Sequence, residues 1–211
     1  MNYAQKIALF GFGLLSAGVL LFMRRKSLST LATSAIDEAN DIYFQLAIPN
    51  EAGPYARVIK QVAAETGIDP FVITAIGMRE TGWGTSRYLD QPGPAGRGDN
   101  GHGHGLMQID DRTWASWLGS HDWADPYTNI SKGAEIYSAN LDYFVNRGLT
   151  GDLLARAALA AYNHGPGNVW QNIQAGRDPD VGTASGNYSA AVWGQANALA
   201  GSYASAAGVV V

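Results

Sequence analysis

The sequence lacks cysteine and is poor in charge, and both absences exclude classes of protein. Without cysteine, neither disulfides nor thiolate metal sites can form. The 14 Lys and Arg are outnumbered by 18 Asp and Glu, so a nucleic-acid partner is not expected. With 46% hydrophobic and 15% charged residues in 211, the chain has the composition of a folded protein. Its length suits one ordinary domain with an appendage.

Long hydrophobic runs are also scarce, with one exception near the amino terminus. The segment Ile7–Met23 is apolar throughout and is followed by Arg24, Arg25 and Lys26. As a helix it would reach about 25 Å, the short end of what crosses a bilayer core. Because three cations stand where a signal peptide would carry small cleavage-site residues, the segment predicts an uncleaved membrane anchor rather than a signal peptide.

The composition changes along the chain predict four parts. Residues 1–26 form the membrane anchor with its basic flank, and residues 27–52 form a tether that is partly helical. The turn-forming residues Asn50–Pro54 mark the start of a folded domain over 53–200, and 201–211 are a short apolar tail. No repeat interrupts the domain.

The pattern inside the domain is helical. Asp69 supplies an N-cap oxygen and Pro70 suits the first helical position, so a helix is predicted from there to Gly82. Further apolar stripes at helical spacing predict a helix from Tyr55 that stops at Gly67, one from Ile130 that is closed by Gly148, one that starts at Thr150 and includes Tyr162, and a last one over Asn187–Leu199. Alternating apolar stretches are scarce, although Gly103–Ile109 suits a short strand. The predicted fold class is mostly α, with at most a small β element and a transmembrane helix ahead of the domain.

Glu80 interrupts the apolar face of its predicted helix. It follows Ile73 and Ile76 at helical spacing, so its carboxyl points toward the interior. Burial without a cationic partner raises a carboxyl pKa and keeps a proton available near neutral pH. Arg79 points about 100° away around the helix and is not an automatic partner. The alternative is a helix-end Glu held in a buried salt bridge.

Two later motifs favour the catalytic interpretation of Glu80. The segment Asp99–Asp110 combines alternating glycines with a Gly-Leu-Met-Gln-Ile core, and Ala161–Asn163 reads Ala-Tyr-Asn. With the Arg-Glu-Thr-Gly-Trp-Gly around Glu80, these motifs resemble the goose-type lysozyme and soluble lytic transglycosylase superfamily. The resemblance covers about Tyr55 to Leu199, with the three motifs in order, and it implies a lysozyme-like domain that cleaves peptidoglycan glycan strands.

The resemblance assigns roles residue by residue. Glu80 matches the catalytic general acid, Met107 and Gln108 match residues lining the sugar cleft, and Tyr162 and Asn163 match residues facing the acid and the sugar. No cofactor or metal is implied. The Gly101–Gly105 turn departs from the lysozyme pattern by carrying His102 and His104. His102 is a candidate contact for sugar hydroxyls or the muramyl carboxylate, whereas a His-Gly-His metal site lacks a third ligand at diagnostic spacing.

Whether the enzyme is a hydrolase or a transglycosylase depends on what attacks the sugar. Asp99 and Asp110 fall where goose-type lysozymes carry water-positioning aspartates, which favours a muramidase of that branch cleaving the MurNAc-GlcNAc β-1,4 bond. A lytic transglycosylase needs no such base and forms 1,6-anhydroMurNAc ends, and Thr113 keeps some similarity to that branch. Without the resemblance, Asp99 reads as a turn residue and Asp110 as an N-cap or surface carboxylate.

Two further expectations concern the setting of the domain. A catalytically inactive wall-binding or virion structural module is the second alternative, against which the intact Glu80 argues. The predicted anchor implies a protein held in a membrane by one N-terminal helix. The membrane is either that of a virion, in which case the enzyme is phage-borne, or a bacterial inner membrane with the domain facing the periplasm. The cations after the anchor instead favour a cytoplasmic domain. Trp83 and Trp114 are candidates for stacking on sugars.

Overall fold

The computed structural model of the chain describes residues 28–208, and these separate into two units between Phe44 and Gln45. In the first unit the chain is helical from Leu28, and this helix, α1, ends at Ala47. The second unit contains all the other elements described below. The predicted anchor segment Ile7–Met23 lies outside the described residues.

The prediction of a membrane-spanning helix, and of a membrane-anchored localisation with it, is corrected by the structure. Between residues 28 and 208 no helix is both long enough and apolar enough to cross a bilayer. The 20-residue helix α1 has sufficient length, but it carries the exposed carboxylates Asp37, Glu38 and Asp41. Burying such charges in hydrocarbon is costly, and α1 is therefore not a membrane helix.

The second unit is a helical domain with one very small sheet. Its α-helices are α2 (Ala56–Thr66), α3 (Pro70–Thr81), α4 (Asp111–Leu118), α5 (Pro126–Val145), α6 (Gly151–His164), α7 (Pro166–Gln174) and α8 (Tyr188–Ala206). Its strands are β1 (Arg97–Gly98), β2 (Gly103–His104) and β3 (Ile109–Asp110). This mostly helical architecture agrees with the fold expected from the sequence.

The ends of α2 and α3 follow from their capping residues. Gly67 and Gly82 end the two helices in left-handed conformations, with φ of 72° and 54°. Asp69 accepts a 2.7 Å hydrogen bond from the amide of Phe71, which caps α3, and Pro70 occupies its first position. These are the boundaries that the sequence predicts, whereas α8 continues past the predicted Leu199 to Ala206.

Helix α6 lies at the centre of the domain and packs against α5, α7 and α8. Its buried positions are mostly alanines, which let neighbouring helices approach closely. Helix α3 packs in turn against α2 and α8. Glu80 at the end of α3 and Tyr162 at the end of α6 are thereby brought to one side of the domain.

The three strands pair in antiparallel order β1-β2-β3, and the turn after β2 meets the end of α3, where the Thr81 hydroxyl donates to the carbonyl of Leu106 at 2.8 Å. Gly98 pairs with Gly103, and Gly103 with Asp110. The predicted short strand over Gly103–Ile109 is thus two two-residue strands joined by a turn. Asn129 of α5 fastens this turn, since its amide group hydrogen-bonds the main chain of His104 and Met107 at 3.1 and 2.8 Å.

Candidate active site

Glu80 lies in the last turn of α3, in a cleft made of three adjoining cavities. A cavity of about 390 Å³ is lined by Glu80, Asp99, Asp110, Tyr162 and Asn163, among others. It shares Glu80 and Asp99 with a cavity of about 480 Å³. On its other side it shares Asp110, Tyr162 and Asn163 with a cavity of about 510 Å³. The Glu80 carboxyl therefore lies within an elongated groove rather than a closed pocket.

The surroundings of Glu80 keep its carboxyl protonated at higher pH than usual. The pKa of Glu80 is raised from 4.5 to about 7 in the balance of all its neighbours, and burial is the largest effect. The hydrogen bond from Tyr188 and the charge of Arg79 act in the opposite direction and lower it. Arg79 does not form a salt bridge that would hold Glu80 ionised, because its guanidinium reaches the carbonyl of Ala184 and the side chain of Asn187, each at 3.2 Å.

Tyr188 is the direct partner of Glu80 and was not identified from the sequence. It is the first residue of α8, it is 2% exposed, and its hydroxyl donates a hydrogen bond to Oε1 of Glu80. The guanidinium carbon of Arg79 lies 5.5 Å from the centre of its ring. Nothing in the local sequence around Tyr188 signals this role, because the contact depends on the packing of α3 against α8.

Gln108 lies over the small sheet, and glycines make room for it. Its φ of 49° is left-handed, and its amide nitrogen donates a 2.8 Å hydrogen bond to the carbonyl of Gly105. A β-carbon at Gly98 or Gly103 would collide with its amide oxygen. The side chain lines all three cavities, which is the location that the sequence predicts.

Met107, Tyr162 and Asn163 occupy three different environments. The Met107 side chain is fully buried against Gly133, so its main chain rather than its thioether is held close to the cleft residues. The Tyr162 hydroxyl donates a 2.9 Å hydrogen bond to the carbonyl of Met107. Asn163 is exposed in the cleft, and its side-chain oxygen accepts a 2.8 Å hydrogen bond from the amide of Ala184.

Asp99 and Asp110 are joined by a cation that sequence reasoning missed. Arg112 forms an ion pair with Asp99 through Nη2 and with Asp110 through Nε, the latter at 2.9 Å. Asp110 also caps α4 by accepting the amide of Arg112 at 2.8 Å. Burial raises the pKa of Asp110, but its hydrogen bonds with Arg112 outweigh this and leave the pKa below its ordinary value. The cleft thus places the Glu80 carboxyl, whose pKa is raised, near the Asp110 carboxyl, whose pKa is lowered.

His102 and His104 contact other residues and do not line these cavities. His102 Nδ1 lies 2.8 Å from a carboxylate oxygen of Asp111. His104 is buried, its ring packs edge-on against Trp123 at 4.9 Å, and Nδ1 donates to the carbonyl of His102 at 3.0 Å. Neither histidine is among the residues lining the three described cavities.

Of the two tryptophans expected at the cleft, Trp114 lines it and Trp83 does not. Trp83 is 2% exposed and its indole N–H donates to the carbonyl of Thr74, so it is a core residue and cannot stack on a sugar. Trp114 lines the 510 Å³ cavity, with the ammonium of Lys132 at 3.9 Å from its ring centre. At the opposite end of the cleft Tyr88 lines the 480 Å³ cavity and is 76% exposed.

Comparison with known proteins shows two groups of relatives. Lysozyme g of Struthio camelus is 30% identical over 140 residues, and Lysozyme G of Dromaius novaehollandiae is 29% identical over 140. Each match covers 64% of this chain and 60% of the relative, so the chain spans about 60% of these proteins' length. The membrane-bound lytic murein transglycosylase F of Cellvibrio japonicus (strain Ueda107) is 30% identical over 126 residues, covering 60% of this chain and 23% of that protein.

A family model gives the wider match. The model for lysozyme g matches residues 49–200, which is well over half of the 211 residues and includes the whole cleft. The chain belongs to the lysozyme g family.

Proposed function

We propose that the protein cleaves the glycan strands of peptidoglycan at the MurNAc-GlcNAc β-1,4 bond, with Glu80 as the general acid. The observation that carries the proposal is the Glu80 carboxyl in an open groove, with a pKa raised by burial to about 7. A carboxyl with that pKa holds its proton near neutral pH and can still release it. Membership of the lysozyme g family supports the substrate class.

In this mechanism the proton of Glu80 passes to the glycosidic oxygen as the bond to the anomeric carbon breaks. A water molecule then attacks the anomeric carbon and loses a proton to a carboxylate of the cleft. Asp99 suits this second role better than Asp110. Asp110 already caps α4 and pairs with Arg112, whereas the one described partner of the Asp99 carboxylate is Arg112.

Tyr162, Asn163 and Gln108 are proposed to hold the glycan around the scissile bond. Tyr162 supports the Met107 carbonyl, so its hydroxyl acts by fixing the main chain of the turn. The Asn163 oxygen already accepts the amide of Ala184, so the NH2 group of this exposed side chain is the part offered to the sugar. Gln108 lines each cavity while its nitrogen donates to Gly105, so its oxygen is the part offered to sugar hydroxyls. Tyr88 and Trp114 offer ring faces at the two ends of the cleft, and His102 has no assigned contact with the glycan in this proposal.

A lytic transglycosylase is the second candidate, because the chain is also 30% identical to murein transglycosylase F, although over a shorter stretch than to the lysozymes. In that reaction the C6 hydroxyl of the muramic acid attacks the anomeric carbon in place of water. Glu80 would keep its role as acid, but no carboxylate would be needed to position water.

The acid is tested by Glu80→Gln on purified sacculi. The amide cannot supply the proton, so we expect the release of glycan fragments to fall at least about 100-fold. Release at the wild-type rate would reject Glu80 as the acid, and absence of release by the wild-type protein would favour an inactive wall-binding module. The branch is tested by mass spectrometry of the products: reducing-end muramic acid is expected, and 1,6-anhydromuramic ends would establish the transglycosylase reaction instead.

A further inference from the structure

A buried carboxylate outside the cleft organises the start of α8. Asp180 is 2% exposed and precedes the helix in a loop. Its carboxylate accepts the amide of Ser189 at 2.7 Å, the amide of Ala190 at 3.0 Å and the hydroxyl of Ser189 at 2.9 Å. These amides belong to the first turn of α8 and have no partners within the helix. Asp180 therefore caps α8 from seven positions ahead of Asn187.

The same loop also fastens the main chain of Tyr188. The amide of Tyr188 donates to the hydroxyl of Thr183 at 3.3 Å, and that hydroxyl lies 2.9 Å from the carbonyl of Asp180. Tyr188 and the next two residues, Ser189 and Ala190, thus each have their main-chain N–H held by the segment around Asp180. The first turn of a helix is where fraying begins, so this anchoring fixes a position that would otherwise be mobile.

The charge of Asp180 is balanced from the central helix. Arg156 of α6 reaches Asp180 at 3.3 Å and the more exposed Asp178 at 2.8 Å through the same nitrogen. Burial raises the pKa of Asp180, but the hydrogen bonds from Ser189, Ala190 and Arg156 outweigh it and lower the pKa overall. An ionised carboxylate is also the favoured group at a helix N-terminus, where the helix dipole is positive.

We propose that Asp180 is a positioning residue which, by anchoring the first turn of α8, holds the Tyr188 hydroxyl on the carboxyl of Glu80. This inference rests on the proposed role of Glu80 as the acid. Asp180 does not line the cleft cavities described around Glu80, and it acts on the acid through Tyr188 alone. If the first turn of α8 loosens, the phenol leaves the carboxyl, and the hydrogen bond that favours ionised Glu80 is weakened.

The groups that face Glu80 define what must stay constant in a test. Tyr188 and Arg79 act on it directly, Tyr162 carries an electrostatic interaction with it, and Asp99 and Arg112 share its cavity. A substitution at Asp180 or Asp178 changes none of these side chains, but Arg79 is held by Ala184 and Asn187 of the segment around Asp180. A change in the titration of Glu80 after such a substitution is therefore assigned to Tyr188 by comparison with Tyr188→Phe.

The closing experiment titrates Glu80 by NMR in protein labelled with ¹³C at the Glu side-chain carboxyl, the signal being identified by its loss in Glu80→Gln. In Asp180→Asn the amide group places a donor against the N–H groups of α8, so we expect the pKa of Glu80 to rise by up to about one pH unit. Tyr188→Phe should produce a rise of similar size. Asp178→Asn removes a carboxylate from Arg156 without touching α8 and keeps the side-chain oxygen that accepts the Asp180 amide at 2.8 Å, so it should leave the titration unchanged.

The double variant Asp180→Asn/Tyr188→Phe separates positioning from a general loss of structure. If Asp180 acts through Tyr188, the double variant titrates like Tyr188→Phe alone, since the shared interaction is removed only once. A wild-type titration of Glu80 in Asp180→Asn, or a shift that adds in full to that of Tyr188→Phe, would overturn the proposal. Should Asp180→Asn not fold, Ser189→Ala removes one hydrogen bond to Asp180 and should give a smaller shift in the same direction, whose absence counts against it.

The titration does not depend on turnover, so it also separates the two proposals. If the Glu80 signal shifts as expected but the wild-type protein releases no glycan fragments, the positioning role of Asp180 stands and the proposed function fails. If fragments are released and the titration is unaffected by Asp180→Asn, the reverse holds.

Discussion

The hydroxyl of Tyr188 donates a hydrogen bond to the carboxyl of Glu80, joining residues 108 positions apart in the sequence. This bond and the charge of Arg79 favour the ionised acid, whereas burial favours the protonated acid and is the larger effect. The balance leaves the pKa near 7 rather than far above it. The Tyr188 hydrogen bond therefore lowers the pH up to which Glu80 keeps its proton.

Removing the Tyr188 hydroxyl should move the pH dependence of the enzyme upward. Tyr188→Phe deletes a bond that favours ionised Glu80, so the Glu80 pKa rises, and the acid stays protonated to higher pH. We expect the alkaline limb of glycan release from sacculi to shift up by about one pH unit. A shift to lower pH would mean that the hydroxyl stabilises the protonated form instead.

Ionised Glu80 should destabilise the folded protein at alkaline pH. The pKa of Glu80 is about 7 in the folded protein and 4.5 ordinarily, so the unfolded chain ionises first as the pH rises. The contribution of protonated Glu80 to the free energy of unfolding is therefore fully present below about pH 4.5 and is lost as the pH rises through 7. Glu80→Gln removes this penalty. We expect the variant to gain about 1–3 kcal/mol over the wild-type protein at pH 8 in denaturant unfolding, and little at pH 4. An equal gain at both pH values would point to packing rather than titration.

Asp99 and Asp110 should differ in their effect on hydrolysis. Asp99→Asn removes the proposed proton acceptor, and we expect glycan hydrolysis to fall at least about 100-fold. Asp110→Asn keeps an N-cap oxygen for α4 and should lower the rate only several-fold, with Arg112 left on Asp99. Both rates are measured by reducing-end formation on sacculi. Near-wild-type hydrolysis in both variants would exclude water positioning by either carboxylate.

The sequence predicts what depends on local signals and misses what depends on long-range packing. Asp69, Pro70 and Gly82 mark the ends of α3, and the helical period puts Glu80 on its inner face, so the sequence alone singles out Glu80 as the candidate acid. Tyr188 has no such signal, because it meets Glu80 only once α8 packs on α3. Arg112 was missed for a similar reason, since its bridge needs the turn that brings Asp99 beside Asp110.

Trp83 shows the opposite error. Its place after the Glu80 helix suggested a sugar-stacking residue, but the ring turns inward and fills the space above Gly77, where a β-carbon would lie 2.6 Å from it. Proximity in sequence to a catalytic residue says little about which way a large side chain points. The exposed ring at the cleft belongs instead to Tyr88, in a loop without periodic pattern.

Tyr88 is expected to contribute to glycan binding by stacking. Its ring is 76% exposed at one end of the cleft, and Arg87 steadies it with a 2.8 Å hydrogen bond to the hydroxyl. Tyr88→Ala should raise KM for soluble glycan oligomers roughly 3- to 10-fold with kcat nearly unchanged. Tyr88→Phe keeps the ring and serves as the control. An equal loss in both variants would assign the effect to the hydroxyl and not to stacking.

Gly133 should be needed for the position of the turn that carries Met107 and Gln108. A β-carbon at Gly133 would lie 2.8 Å from Cε of Met107, and the Met107 carbonyl is the acceptor for Tyr162. Gly133→Ala should therefore lower stability by about 1–3 kcal/mol in thermal unfolding and reduce glycan release in the fraction that stays folded.

The matched control is Gly194→Ala in α8, where nothing lies within 4 Å of the new β-carbon. That variant should be stabilised by about 0.5–1 kcal/mol, because alanine favours the helix over the unfolded chain. If Gly133→Ala were as stable and as active as Gly194→Ala, the contact between α5 and Met107 would not be needed to position the turn that carries Met107 and Gln108. Glu80 and Tyr162 would then be positioned by the packing of α3 and α6 against α8.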